Sequence, residues 1–345
     1  MKARTALFLY TELAGYMVNC MNTLAEEKGI EVHVVAYPIN AEAPFQFDFH
    51  PQLTIHNRNE HEEGSLTELI ALLKPNWIYC SGWADKAYLK AIKAHSHIPS
   101  ALAFDNQWEG SAKQKVLSLA ARFIFPRQFN FAFVPGERQV SFAKKLGFKK
   151  EQIKTGVYCC DVDLFKSYQS DNKSRSLLWV GRYIPQKGAE LLWNTFLELN
   201  AEMDNKWTLH CAGTGADFDQ RVQDESIIHH GFVQPENLKT IIQKSACFVL
   251  PSHFEPWGVV VHEMAAAGLP IIISSAVGAG DVFVDDNKNG IVFTSEDRLE
   301  LKNALRKIMS KSPEELHKMG EKSSKMAEKI VPKSWADTVE SMMYL

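Results

Sequence analysis

The stretch "ACFVLPSHFEPWGVVVHEMAAAGLPIIIS", residues 246–274, predicts the fold of the region around it. "ACFVLPS" has the composition of a buried strand, and a loop from Ser252 to Pro256 follows it. "WGVVVHEMAAAG" is typical of an apolar helix that ends at Gly268, directly before a second buried strand, "LPIIIS". Two buried strands joined through a helix form a βαβ unit, so we expect a parallel sheet here.

The same alternation of strand-like and helix-like segments runs through the rest of the chain. In the first half the strand-like runs are "TALFLY", "EVHVVAY", "NWIYC", "SALAF", "FAFV" and "IKTGV". Segments of helical period separate them at residues 14–28, 65–74, 84–95 and 137–147. In the second half the runs are "LLWVGR", "KWTLHCAG", "SIIHHGFV", "ACFVLPS", "LPIIIS" and "GIVF". This pattern predicts an α/β protein built from βαβ units.

Length and a break in the pattern indicate two domains. The chain has 345 residues, and this length is more than one hydrophobic core usually organises. Of these residues 46% are hydrophobic and 23% are charged. The polar stretch "KSYQSDNKSRS", residues 166–176, interrupts the alternation and is a candidate linker. We expect an N-terminal domain at 1–163, a C-terminal domain at 164–329, and a last helix at 330–345 that packs back on the N-terminal domain.

Both domains are predicted to be doubly wound and to face each other across a cleft. Ligands of such sheets bind beyond the carboxyl ends of the strands, so we expect functional residues in the loops that follow strands.

Several classes of protein are disfavoured by composition. The formal net charge of −3 gives no reason to expect binding to nucleic acid. The first residues, "MKARTALFLY", lack the cleavage pattern of a signal peptide, and no apolar run reaches the roughly 18 residues of a membrane span, which predicts a cytoplasmic protein. The six cysteines have no C-x-x-C spacing and are expected to be reduced thiols.

Two carboxylates interrupt the apolar stretch at Glu255 and Glu263. Eight residues of helix correspond to roughly 12 Å, which is too far for the carboxylate pair of a retaining glycoside hydrolase. An ionised Glu263 needs partners if it is desolvated. The two side chains therefore suggest contacts with the two ends of one long ligand. The alternative is a helix on which His262 and Glu263 occupy an exposed strip.

Anion-binding groups lie between and beside these carboxylates. The amides of Gly258, Val259 and Val260 are predicted to form a helix N-terminus, which attracts anions. In "WVGRYIPQKG" a strand ends at Gly181, and Arg182 and Lys187 lie in the loop after it. Two cations near a helix N-terminus suit a diphosphate, although single charges in a surface loop are usually only solvated.

From about residue 131 to the C-terminus the chain resembles the retaining nucleotide-sugar glycosyltransferases of glycosyltransferase family 4, which have the GT-B architecture of two facing Rossmann-like domains. The matching segments, in order, are "FVPGERQVSFAKKLGFKKEQIKTGVYCCDVDLF", "WVGRYIPQKGAELL", "LHCAGTG", "HHGFV", "ACFVLPSHFEPWGVVVHEMAAAGLPIIIS" and "VDDNKNGIVF".

The resemblance implies a nucleotide-diphosphate sugar as donor, with UDP, GDP or ADP as the nucleotide, and no cofactor. Arg182 and Lys187, after Gly181, would hold the diphosphate, and Glu263 would bind the ribose hydroxyls. Glu255 would contact the transferred sugar. The remaining donor contacts implied are Gly231, Phe232 and Val233 beside the nucleobase, and Pro256, Trp257, Gly258, Val259 and Val260 near the sugar and phosphates.

The N-terminal half departs from the family's pattern. In place of a Gly-rich loop it has "TELAGYM", in which Gly15 allows close approach of a phosphate. Where many relatives carry a histidine, "SALAFDNQWEG" places Asp105, which either supports catalysis beside the transferred sugar or caps the following helix. Glu12 either binds the acceptor or caps a helix, and Asn106 is predicted on the acceptor side.

No metal is expected. "DVD" at 161–163 falls in the crossover between domains, and His229 and His230 have no metal-ligand spacing. The glycines of "CAGTGADF" and of "GAGD", residues 278–281, do not match a dinucleotide-binding motif.

Residues 113–154 carry a local positive excess. Ten basic residues stand against Glu137 and Glu151, and five phenylalanines lie among them: Phe123, Phe125, Phe129, Phe131 and Phe133. This composition suggests peripheral contact with an anionic membrane at its inner face. The alternative places the phenylalanines in the core and the lysines on a solvated helix.

The resemblance implies a retaining, metal-independent hexosyltransferase with Asp105, Glu255, Arg182 and Lys187 as the catalytic residues. The acceptor would be a glycan or a lipid-linked molecule, in cell-surface polysaccharide or lipopolysaccharide synthesis. The alternative is a non-catalytic nucleotide-sugar-binding or scaffold protein.

Overall fold

The computed structural model describes residues 4–40, 44–170 and 174–344. The chain forms two compact units, one of residues 1–159 together with 330–345, and one of residues 160–329. Each unit is built on its own parallel sheet.

The first unit contains a seven-stranded parallel sheet. Its strands are β1 (Arg4–Glu12), β2 (Ile30–Tyr37), β3 (Leu53–Asn57), β4 (Trp77–Ser81), β5 (Ser100–Ala103), β6 (Phe131–Val134) and β7 (Ile153–Thr155). Their order in the sheet is β3-β2-β1-β4-β5-β6-β7: β2 and β3 are added on one side of β1, and β4 to β7, all parallel to it, on the other. The helices are α1 (Gly15–Lys28), α2 (Glu63–Leu73), α3 (Lys86–Ala94), α4 (Ala112–Gln128) and α5 (Glu137–Lys145).

The second unit contains a six-stranded parallel sheet. Its strands are β8 (Ser176–Val180), β9 (Thr208–Ala212), β10 (Ile227–His229), β11 (Cys247–Leu250), β12 (Ile271–Ser274) and β13 (Gly290–Phe293), in the order β10-β9-β8-β11-β12-β13. The helices are α6 (Val162–Lys166), α7 (Ala189–Glu202), α8 (Lys239–Lys244), α9 (Val259–Ala266), α10 (Gly280–Phe283), α11 (Arg298–Met309) and α12 (Pro313–Ala327).

Both sheets have the strand order of doubly wound folds, as predicted. The strand-like runs all form strands: the central ones have the apolar side chains that a sheet covered on both faces requires, while the edge strands β7 and β10 are shorter and less buried. Strand β3 was not predicted, since it is a short edge strand whose Thr54 and Ile55 are exposed. For helix α4 the sequence predicted only that a helix follows Asp105, without bounds, because apolar residues lie on both of its faces and obscure the helical period.

The C-terminal helix α13 (Pro332–Met343) belongs to the first unit. Trp335 is 1% exposed, and its Nε1 donates to the carbonyl oxygen of Val157 at 2.9 Å. Glu340 pairs with Arg4 at 2.7 Å and with Lys28 at 3.0 Å. The prediction that the last helix returns to the N-terminal domain is therefore confirmed.

The candidate linker at 166–176 does not separate the units. Residues 171–173 lie outside the described residues, and those on either side belong to the second unit. Tyr168 is buried, and Gln169 Nε2 donates to the carbonyl oxygen of Ala266 at 2.9 Å. The segment is thus part of the second unit, and the change of unit falls earlier, after Cys159.

All six cysteines are free and buried, in agreement with the prediction of reduced thiols.

Candidate functional site

The carboxyl edge of the second sheet brings together the loops that carry most of the predicted site. Strands β8 and β11 are neighbours, and the chain order reverses between them. In doubly wound sheets, ligands bind in the crevice outside the carboxyl ends of the strands at such a switch point. The loop after β8 carries Arg182 and Lys187, and the loop after β11 carries Glu255.

A glycine allows these two loops to touch. Gly188 has a left-handed backbone with φ of 65°, and a Cβ atom placed there would lie 2.2 Å from the carbonyl oxygen of Pro251. A side chain at this position is therefore excluded on two grounds. Next to it, His253 N donates to the carbonyl oxygen of Gln186 at 2.8 Å. This close approach brings Lys187 to the loop after β11.

Lys187 and Glu255 form an ion pair within this crevice. The Lys187 Nζ donates to Glu255 Oε2, and the side chains are only 18% and 10% exposed. Ser252 is fully buried, and its hydroxyl donates to the same carboxylate oxygen at 3.3 Å. A nearly buried carboxylate requires such partners. Sequence reasoning missed Ser252, because a single serine after a strand carries no distinguishing signal.

A second loop supports Glu255 from behind. Gly278 N donates to the carbonyl oxygen of Glu255 at 3.0 Å, and Ala279 N donates to that of Trp257 at 2.9 Å. A Cβ atom on Gly278 would lie 2.1 Å from the carbonyl oxygen of Pro256. The segment "GAGD" therefore fixes the position of the Glu255 loop, which the sequence did not indicate because only a dinucleotide-binding role was considered.

Helix α9 begins at Val259, preceded by Gly258 with φ of 93°. The prediction placed the helix start at Trp257, two residues too early. The Trp257 side chain is 2% exposed and packs against Phe283, with ring centroids 6.1 Å apart. A donor contact at Trp257 could therefore involve only its backbone. Val259 and Val260 lie in the first turn of α9, where amides lack partners within the helix.

Glu263 and its neighbour His262 differ sharply in environment. Glu263 is half-buried on α9, and desolvation raises the pKa of its carboxyl to about 7. His262 is fully buried: its Nδ1 accepts from Cys160 N at 3.3 Å and its Nε2 donates to the carbonyl oxygen of Ala327 at 2.9 Å. Burial lowers the pKa of His262 to about 4. The alternative of an exposed strip is therefore wrong for His262.

The remaining donor-side residues lie on linked loops of the same sheet edge. Arg182 is exposed and makes no ion pair with any described residue. Gly181 N donates to the carbonyl oxygen of Ala212 at 3.0 Å, and Gly213 N donates to that of Gly231 at 2.7 Å. The loops after β8, β9 and β10 are thus held together. Phe232 and Val233 are partly exposed next to Gly231.

The first unit holds Asp105, which follows β5 and is half-buried. Burial is the main cause that raises the pKa values of Tyr79 and Tyr158, and the negative charge of Asp105 adds to it. The three groups are therefore near one another. Helix α4 is instead capped by Ser111, whose hydroxyl accepts from Gln114 N at 3.3 Å. The alternative that Asp105 caps this helix is therefore wrong, because Asp105 lies six residues before the cap.

Glu12 and Gly15 occupy the carboxyl end of β1. Glu12 is exposed, and its Oε1 accepts from Asn40 N at 3.3 Å. Helix α1 has no side-chain cap, so the capping alternative for Glu12 is also wrong. A Cβ atom on Gly15 would meet no atom within 4 Å, which leaves open space at this turn. Asn106 is exposed after β5.

The residues considered as metal ligands have other partners. Asp161 of "DVD" is the N-cap of α6 and accepts from Leu164 N at 3.0 Å. His229 Nδ1 lies 2.9 Å from the Tyr183 hydroxyl, and His230 Nε2 lies 2.9 Å from His210 Nδ1. Within the described ranges, no group of three or more His, Cys, Asp or Glu side chains is arranged to hold a metal ion.

The phenylalanines of region 113–154 divide between core and surface. Phe129, Phe131 and Phe133 are buried, so their predicted membrane contact is wrong. Phe123 is 59% exposed. No helix in the described part of the chain is both long and apolar enough to span a bilayer.

Comparison with known proteins agrees with this geometry. Residues 162–326 match the model of the family described as glycosyl transferases group 1, and this range contains all the donor-side residues of the second unit. Residues 162–326 are therefore similar to a glycosyltransferase domain.

Curated relatives share a limited part of the chain. An uncharacterized glycosyltransferase from Methanocaldococcus jannaschii is 27% identical over 135 residues, which is 38% of this chain and 34% of the relative. An uncharacterized 41.2 kDa protein in the cps region of Klebsiella pneumoniae is 25% identical over 123 residues, which is 35% of this chain and 33% of the relative. The chain thus spans about a third of the length of the curated relatives it matches.

Solved structures resemble the whole chain. HepE from Anabaena in complex with UDP has a TM-score of 0.75 at 13% identity, over 98% of both chains. The lipopolysaccharide outer core galactosyltransferase WaaB has a TM-score of 0.69 at 14% identity, over 99% of both chains. At such low identity the similarity shows the fold, and the predicted fold class of two Rossmann-like units with GT-B relatives is confirmed.

Proposed function

We propose that this protein is a glycosyltransferase that transfers a sugar from a nucleotide-diphosphate donor to a hydroxyl acceptor. The observation that carries the proposal is the Lys187–Glu255 pair at the switch point of the second sheet. It lies within the range that matches the glycosyltransferase family model. A cation and a carboxylate in one crevice can bind the two different parts of a donor, its diphosphate and its sugar.

The donor diphosphate is assigned to Arg182, Lys187 and the first-turn amides of α9. Loss of the diphosphate from the sugar concentrates negative charge on the leaving phosphate. Fixed cations and amides stabilise that charge without a general acid. Arg182, which has no competing ion pair among the described residues, is able to turn toward a phosphate. We therefore propose a transfer that needs no metal ion.

The two carboxylates are assigned to hydroxyl groups of the donor. Glu255 is fixed by Ser252, Lys187 and the Gly278 loop, and a fixed acceptor group suits recognition of a sugar hydroxyl. Glu263 is half-buried, and desolvation raises the pKa of its carboxyl to about 7, so its ionised form is poorly solvated in the ligand-free protein. Hydrogen bonds from the ribose hydroxyls would replace the water that the Glu263 carboxylate has lost.

On the acceptor side we propose Asp105 as a group that stabilises positive charge at the anomeric carbon, with Glu12 and Asn106 near the acceptor. A retaining transfer, in which the acceptor hydroxyl attacks the face that the diphosphate leaves, follows from the resemblance to family 4. The acceptor would be a glycan or a lipid-linked molecule of surface polysaccharide or lipopolysaccharide synthesis at the cytoplasmic side of the membrane. The names of the Klebsiella and WaaB relatives support this assignment.

The test is a thermal-shift screen of UDP, GDP and ADP, followed by calorimetric titration of the nucleotide that stabilises most. UDP is the first candidate because HepE was solved with it. Release of free nucleotide from the corresponding sugar nucleotides then measures turnover. Lack of binding by all three nucleotides would contradict the assignment of the donor site.

The alternative function is a non-catalytic protein that binds a nucleotide sugar. It is favoured by Asp105, which stands where many family members have a histidine. Nucleotide binding without any sugar transfer or donor hydrolysis, across a panel of acceptors, would support this second function.

A further inference from the structure

Helix α4 of the first unit is apolar on the side that faces solvent. Five large apolar side chains are between 53% and 67% exposed: Val116, Leu117, Leu119, Phe123 and Ile124. Contiguous apolar surface of this kind is uncommon on a soluble monomer and marks an interaction site.

The exposed residues are a continuous stripe of the helix. Val116, Leu119 and Phe123 are spaced by three and four residues, so they share one face. The buried Ser118 and Ala121 lie on the opposite face, against the core. The helix therefore presents a second apolar face in addition to the one that packs inward.

The helix is held firmly in this orientation. Gln128 Nε2 donates to the carbonyl oxygen of Leu89 at 2.6 Å. Gly147 packs so closely that a Cβ atom there would lie 2.5 Å from the carbonyl oxygen of Arg122. Its exposed stripe is therefore a fixed feature of the first unit.

Basic residues flank the stripe. The helix carries Lys113, Lys115, Arg122 and Arg127 and contains no Asp or Glu. These four residues form no ion pair with a described residue; Arg127 donates instead to the carbonyl oxygen of Phe123 at 2.9 Å. The turn that packs on α4 adds four exposed lysines: Lys144, Lys145, Lys149 and Lys150.

We propose that α4 is a docking surface for an anionic lipid bilayer, in which the stripe enters the acyl boundary and the basic residues contact the headgroups. Apolar and basic residues together on one fixed helix face are what such an interface requires. A second copy of the chain is a poorer occupant, because pairing two α4 faces would bring eight uncompensated positive charges together (four on each helix). Membrane docking is independent of sugar transfer and goes beyond it.

The first experiment is vesicle flotation with the full chain. It compares vesicles of phosphatidylcholine with vesicles of phosphatidylcholine and phosphatidylglycerol in equal parts, at low and at high salt. The wild-type protein should float with the anionic vesicles and much less with neutral ones. Leu119→Gln/Phe123→Gln should lower the partition coefficient at least about tenfold. Leu72→Gln/Leu299→Gln removes two apolar side chains elsewhere that are at least as exposed, and it should leave the partition coefficient unchanged.

A second pair of variants tests the charges. Lys113→Gln/Lys115→Gln should lower partitioning about 30-fold at low salt, since each basic residue near an anionic surface contributes about 1 kcal/mol. Lys322→Gln/Lys325→Gln on α12 is the matched control. Thermal unfolding and nucleotide titration of each variant establish that it is folded and that the donor site is intact.

Three results would overturn the proposal. One is failure of the folded wild-type protein to float with anionic vesicles at low salt. Another is equal flotation of the Leu119→Gln/Phe123→Gln variant. The third is a concentration-dependent dimer in sedimentation, lost in that variant and without vesicle binding, which would assign the stripe to a second copy of the chain.

Discussion

The ammonium group of Lys187 and the carboxylate of Glu255 form an ion pair that joins the loops after β8 and β11. The residues are 68 positions apart in the chain, and adjacent strands bring them together. Both side chains are largely buried, so the pair fixes the relative position of the two loops while it also lines the proposed donor site.

Lys187→Ala and Glu255→Ala are each expected to lower the free energy of unfolding by about 1–3 kcal/mol, because each leaves a nearly buried partner uncompensated. The double variant should lose less free energy of unfolding than the two single variants lose together. Urea denaturation of the wild type, both single variants and the double variant measures this double-mutant cycle. The exposed pair of Lys318 and Glu314 is the control, where Lys318→Ala should cost no more than about 0.5 kcal/mol. Strict additivity at Lys187 and Glu255 would show that the two are not coupled.

Calorimetry should also show at least about tenfold weaker nucleotide binding for Lys187→Ala.

Glu263→Gln is expected to stabilise the ligand-free protein increasingly as the pH rises. Burial raises the pKa of Glu263 from 4.5 to about 7, so the unfolded chain loses this proton at lower pH than the folded protein does. Wild-type stability therefore falls as the pH rises from about 4.5 to 7. Relative to wild type, the variant should gain up to about 3 kcal/mol over that range.

Urea denaturation at pH 4 and pH 8 tests this relationship. The same variant should bind nucleotide more weakly, because an amide replaces the carboxylate that would accept ribose hydroxyls. A stability difference independent of pH would contradict the raised pKa.

Asp105→Asn is expected to reduce turnover by a factor on the order of 10²–10³ with little change in nucleotide affinity, since the proposed charge stabilisation exists only in the transition state. Ser111→Ala is the control: it removes the cap of α4 and should cost about 1 kcal/mol of stability without affecting turnover. Near wild-type turnover of Asp105→Asn would eliminate the catalytic role.

Gly278→Ala is expected to weaken nucleotide binding at least about tenfold and to cost about 1–3 kcal/mol of stability. The added Cβ would lie 2.1 Å from the carbonyl oxygen of Pro256, so the loop that carries Glu255 must move. Gly64→Ala on α2 meets no atom within 4 Å and should stabilise the protein by about 0.5–1 kcal/mol. Unchanged affinity in Gly278→Ala would show that the position of this loop does not matter.

Sugar transfer is expected to survive EDTA, because Arg182, Lys187 and the amides of α9 would supply the countercharge for the diphosphate. Turnover before and after chelation measures this directly. Complete loss of activity that a divalent ion restores would instead assign the countercharge to a metal.

Local sequence patterns were enough to predict the two parallel sheets and the loops that carry the donor-side residues. Buried parallel strands need apolar runs, and helices between them need their own period, so both signals are local and can be read along the chain. The position of Glu263 in a helix after the fourth strand of the second sheet, and of Lys187 after its first, followed from that pattern.

Which of these residues contact one another, and which face solvent, depends on long-range packing. The pairing of Lys187 with Glu255 depends on β8 lying next to β11 and on the close approach at Gly188. The cap of α4 is Ser111 and not Asp105 because the loop after β5 runs further than its composition suggests. The exposed stripe of α4 could not be predicted, because both faces of the helix are apolar and only the packing shows which one is buried. Such contacts join residues that are far apart in the sequence. They depend on strand order and burial, and no local sequence pattern encodes either.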